Sequence, residues 1–77
     1  MNNERRKTLK EITDNLETAM DRLREVAQEE SFEYDSLPEN VQNSERGAKM
    51  DVGVSMLNYA ADDLSEIIDT VNEVLGE

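Results

Sequence analysis

Leu9, Ile12, Leu16, Ala19, Leu23 and Val26 recur at steps of three and four along the first half of the chain. That is the spacing of one face of an α-helix, repeated in heptads. Met20 and Ala27 widen the stripe. No Gly or Pro falls between Met1 and Leu37, so the pattern predicts one helix from about Asn3 to about Glu33. Glu30 stands where the next stripe residue belongs, which predicts looser packing there. The second half repeats the pattern over a longer run: Met50, Val54, Leu57, Ala61, Leu64, Ile68, Val71 and Leu75. It predicts a helix from about Glu45 to about Leu75, with Ser44 as N-cap and Gly76 in the position of a C-terminal cap. Gly47 and Gly53 each cost this helix about 1 kcal/mol relative to Ala. They fit either simple tolerance in a long helix or the close approach of another backbone.

Residues 34–43 form the connector. Pro38 lacks an N–H and clashes with a preceding helical turn, so it separates the two helices. Ser36-Leu37-Pro38-Glu39 fits a capping box with Pro early in the first turn. A short helical turn over about Leu37–Gln42 is therefore expected. Leu37 and Val41, four apart, can both face inward and close the end. Two long helices with a short link pack antiparallel. The expectation is an all-α protein, one helical-hairpin domain spanning residues 1–77. Charge supports the same orientation. Arg5, Arg6, Lys7 and Lys10 crowd the start of the first helix, and Asp62, Asp63, Glu66, Asp69 and Glu73 the end of the second. Each cluster opposes its own helix dipole, and antiparallel packing sets one beside the other.

The second helix carries more apolar surface than one partner helix covers. Gly53, Met56, Ala60, Asp63, Ile67, Thr70 and Val74 form a further line beside the main stripe. The line fits either a broad core-facing stripe in a monomer or a contact between copies. We read Met56, Ala60, Ile67 and Val74 as self-association residues, joining two hairpins into a four-helix bundle.

Composition presses the same way. A chain of 77 residues has one small core, and such cores seldom supply more than about 3–5 kcal/mol. There is no Cys for disulfides and no His for the commonest metal sites, so association is the remaining common source of stability. The absence of His also removes the usual general base and the Glu-x-x-His pattern of carboxylate-bridged metal bundles. No calcium loop or glycine-rich phosphate loop is present. We expect no catalysis, no cofactor and no specific metal. No apolar run approaches the roughly 20 residues of a membrane span, and the N-terminal segment reads as amphipathic helix, not as a secretory leader.

Nineteen acidic residues against eight basic ones give a formal charge of −11. Such a chain is repelled by free nucleic acid and by anionic membranes, so no direct contact with either is expected. Asp62, Glu66, Asp69, Glu73 and Glu77 line one helix face. A second acidic group, Glu29, Glu30, Glu33, Asp35 and Glu39, surrounds the connector, with only Arg46 and Lys49 close in sequence. Either is a solvated face that keeps a small bundle soluble, or a row of carboxylates able to occupy a basic groove. The first row has the basic N-terminus beside it and the connector group does not. The candidate partner contact is therefore Glu29, Glu30, Glu33, Tyr34, Asp35, Leu37, Pro38 and Glu39. Tyr34 fits either a cover for the end of the core or a contact residue. Arg46 is positioned to pair with Asp35 or Glu39.

The segment Tyr34-Asp35-Ser36-Leu37-Pro38-Glu39-Asn40-Val41-Gln42-Asn43-Ser44-Glu45-Arg46-Gly47 resembles one in small helical-hairpin accessory proteins of bacteriophages and mobile elements. It covers about a fifth of the chain; the flanking helices are similar in pattern only. The resemblance implies an accessory protein in the cytoplasm of a bacterial host cell; it carries no list of binding residues. Two expectations follow. One is a noncatalytic interaction or assembly protein. The other is an inhibitor that imitates nucleic acid and blocks a host DNA- or RNA-binding defence enzyme.

Overall fold

A computed structural model describes residues 1–76. It holds three helices in chain order: α1 (Asn3–Asp35), α2 (Glu39–Gln42) and α3 (Glu45–Gly76). α1 and α3 pack along their length as a rod of 58 × 14 × 13 Å, and α2 packs against α3 at one end. Arg6 at the start of α1 and Leu75 at the end of α3 meet through a hydrogen bond, so the long helices run antiparallel, as expected. Among the described residues there is no strand.

α1 begins where expected, with a cap not anticipated: the Asn2 side chain accepts a hydrogen bond from the Arg5 N–H at 2.8 Å. It runs two residues past the expected end. Its inward line also differs. Leu9, Thr13, Leu16, Met20, Leu23 and Ala27 are buried or half-buried, whereas Ile12, Ala19 and Val26 are exposed. The leucines belong to both lines; the residues between them change. Close approach of α3 decides the matter. Buried Ala27 and Ala61 let the backbones come together, and the larger Ile12 and Val26 remain at the flank. Buried Thr13 leaves no polar atom unsatisfied, because its hydroxyl donates to the Lys10 carbonyl at 2.9 Å.

The inward line of α3 is the expected one, extended at its start by buried Gly47. A Cβ at Gly47 would stand 2.1 Å from the Gln42 carbonyl oxygen, so this glycine lets α3 start against the end of α2. Around Gly53 nothing lies within 4 Å of a Cβ, and tolerance is the right reading there. Gly76 does not act as a left-handed cap: it lies within α3, and no described residue has positive φ.

The connector corrects the capping-box reading. Ser36 ends α1, its hydroxyl donating to the Glu33 carbonyl at 2.8 Å. Pro38 occupies the N-cap of α2 with extended backbone and no side-chain cap. A residue before Pro is forced out of the helical region, so Leu37 cannot begin the turn and α2 starts at Glu39. Gln42 ties the link down by donating to the Tyr34 carbonyl at 2.9 Å. Ser44 caps α3 as expected: the Gly47 N–H donates to its hydroxyl oxygen, and that hydroxyl donates to the Val41 carbonyl. Leu37 and Val41 are both half-buried at this end.

Candidate functional site: the connector end and the apolar flank

The connector end holds the proposed partner-contact residues together at one tip of the rod. Glu29, Glu33, Asp35, Pro38 and Glu39 are exposed there. Tyr34 and Leu37 are half-buried at the end of the inward line, so Tyr34 covers the core while its edge remains accessible. Glu30 is half-buried on the side of α1 that faces α3, so it belongs to the hairpin seam more than to the rim. Among the described residues none of these carboxylates has an ion-pair partner. Lys49 pairs with Glu45 at 3.4 Å, and Arg46 forms no ion pair with Asp35 or Glu39. Arg46 is exposed.

The structure adds Phe32, which the sequence reading passed over. It is 64% exposed, and helical spacing sets it on one face with Glu25, Glu29 and Glu33. A large aromatic among unpaired carboxylates, with Pro38 close by in the chain, offers apolar contact inside an acidic rim.

The acidic row of α3 is exposed from Asp62 to Glu73; Glu77 lies outside the described residues. Asp62 pairs with Arg24 at 3.5 Å. Glu66, Asp69 and Glu73 have no ion pair among the described residues. The basic start of α1 does lie beside the end of α3, yet Arg6 donates to the Leu75 carbonyl at 2.6 Å and not to a carboxylate. It satisfies a free helix-end carbonyl and meets the negative pole of the α3 dipole.

The expected self-association residues fall along one flank of the rod. Met56 is 64% and Ile67 48% exposed, while Ala60 and Val74 are half-buried at its inner edge. The Arg24–Asp62 pair marks the opposite flank. In heptad geometry, Ile12, Ala19 and Val26 of α1 then lie on the same flank as Ala60, Ile67 and Val74. Ile12 is 42% and Val26 50% exposed, and a shallow depression lined by Ala19, Arg22, Leu23 and Val26 opens there. The two helices thus build one apolar flank, of which the sequence reading found the α3 half.

Among the described residues no group of three or more acidic side chains is arranged to hold a metal ion, and no helix is long and apolar enough to cross a membrane. No protein-family model, curated protein or solved structure matches this chain.

Proposed function

We propose that this chain is a noncatalytic interaction or assembly protein. It self-associates into a four-helix bundle through its apolar flank and binds another protein through its connector end. The observation that carries this reading is the pair of exposed carboxylates Asp35 and Glu39, without ion pairs among the described residues and close in the chain to exposed Phe32 and Pro38. Aromatic anchors inside a charged rim are what binding hot spots use, and rim charges steer a partner of opposite sign. The partner is thus a protein with a basic surface around an apolar pocket. The connector's resemblance to phage and mobile-element hairpins supports an accessory role in the cytoplasm of a bacterial host cell.

The test begins with a partner recovered from a bacterial lysate and identified by mass spectrometry. Combined Asp35→Lys and Glu39→Lys, which lie off the apolar flank, should weaken its binding about tenfold or more. Combined Asp69→Lys and Glu73→Lys should change it far less, with both variants still helical by circular dichroism. Loss confined to the second pair would overturn the reading.

A second reading is favoured by one observation: Glu66, Asp69 and Glu73 are also exposed and unpaired on a straight rod. In it the row imitates a phosphate backbone and blocks a host DNA- or RNA-binding enzyme. Its affinity would then fall steeply with salt and nucleic acid would compete, neither of which an apolar anchor predicts.

A further inference from the structure

The apolar flank repeats itself when reversed. At heptad spacing, the α1 flank reads Arg5, Ile12, Ala19, Val26, Glu33. Turned end for end about Ala19, it sets Arg5 against Glu33, Ile12 against Val26, and Ala19 against itself. At the same spacing the α3 flank reads Arg46, Gly53, Ala60, Ile67, Val74. Its four uncharged positions, turned about their own centre, set Gly53 against Val74 and Ala60 against Ile67, with Arg46 outside the pairing. Arg24 pairs with Asp62, so the two centres lie within about one helical turn of each other along the rod. A two-fold axis near Ala19 therefore passes within about one turn of the middle of the α3 flank. Self-complementarity of this kind is what an isologous interface requires.

We infer that the occupant of this flank is a second copy of the same chain, docked antiparallel about a two-fold axis passing near Ala19. The connector of one copy then lies beside the chain termini of the other. This rests on the self-association read above and adds the symmetry operator and the α1 half of the surface.

Three further features agree. The first is charge. On this flank Arg5, Arg22, Arg46 and Lys49 stand against Glu29, Glu33 and Asp63, close to neutral in a chain whose formal charge is −11. The excess acid lies on the other faces, so two copies can meet here without like-charge repulsion dominating. Antiparallel docking also brings the acidic connector of each copy to the basic start of the other, whereas parallel docking would stack the two acidic ends. The second is area. A face of 58 by 14 Å is on the order of 800 Å², what each partner gives to an interface of standard size. The third is need. Among the described residues of the single hairpin no large side chain is fully buried, and Ile12, Val26, Met56 and Ile67 all remain exposed. Burying them between copies supplies the core that one hairpin lacks.

Two experiments test this on the full chain. Native cysteine is absent, so one introduced thiol is an unambiguous probe. Ala19→Cys should oxidise to a covalent dimer about a hundredfold faster, at micromolar protein, than Ser55→Cys on the opposite flank, because paired thiols meet at near-millimolar effective concentration. The second experiment reads the dimer dissociation constant by sedimentation equilibrium. Arg5→Glu should raise it roughly three- to thirtyfold, since two exposed pairs are lost. Adding Glu33→Arg to the same chain should restore it to within about threefold. A wild type that stays monomeric at about 100 μM, a concentration where stable dimers persist, overturns both the self-association reading and this inference. A wild-type dimer in which Ala19→Cys is no faster than Ser55→Cys, or in which the charge swap fails to rescue, overturns the antiparallel operator alone. Circular dichroism confirms in each case that the variant is folded.

Discussion

At Gly47 a Cβ would meet the Gln42 carbonyl carbon at 2.5 Å and the Val41 carbonyl oxygen at 2.6 Å. These are backbone atoms, which cannot swing aside as a side-chain tip can. Six positions on, Gly53 faces open space in the same helix. Two chemically identical substitutions should therefore act in opposite directions. Gly47→Ala gains about 1 kcal/mol of helix propensity but meets an overpacking cost of about 1–3 kcal/mol, and should lower the melting temperature. Gly53→Ala should raise stability by about 0.5–1 kcal/mol. Thermal unfolding of dilute protein, where copies are apart, measures both. A gain at both positions would mean that α2 and α3 do not touch as described. Neither answer was legible in the sequence, because helical spacing does not show how tightly the chain turns from α2 into α3 at Gly47 or what stands beside Gly53.

For whole elements, spacing was informative. Both long helices follow from their heptads, and the α3 inward line matches residue for residue. The α1 line was off by one neighbour at every second position. Leu9, Leu16 and Leu23 fit either choice, and a hydrophobicity scale prefers Ile12 to Thr13. The structure prefers Thr13 because its hydroxyl is satisfied inside its own helix and its small volume admits α3. Phe32 was missed for a related reason: a single aromatic on the outer face has no periodic partner to draw attention to it. The α1–α3 pairing itself has a polar clasp in Arg6, which holds the Leu75 carbonyl in the last turn of α3. Arg6→Ala should cost about 1 kcal/mol or less, the usual size of a cation at a helix C-terminus. It should act locally: amide exchange should quicken over the last turns of α3 and stay unchanged near Ala61. Uniform quickening along α3 would mean that Arg6 supports the whole hairpin and not its end.

The molecule as a whole is long for the core it encloses. Its fully or nearly buried apolar residues are Ala27, Ala61 and Ile68, and the apolar flank makes up the difference only if something covers it. Ile67→Glu places a charge in the middle of that flank and leaves the inward line of α3 unchanged in sequence. It should shift the protein towards monomer in light scattering and lower its melting temperature. An unchanged mass and melting temperature would leave the flank without a role. The hairpin's cross-links also differ greatly in the length of chain they enclose. The Gln42–Tyr34 bond spans 8 positions and the Arg6–Leu75 bond spans 69. Closing the longer loop from an open chain costs about 2 kcal/mol more in entropy. Pairing that starts at the connector and advances towards the termini never meets that cost in one step, because each new layer of side chains closes only a few further residues. The hairpin is thus built to zip from Gly47 and Tyr34 outward, and to fray in the opposite order, with Arg6 letting go first and the connector last.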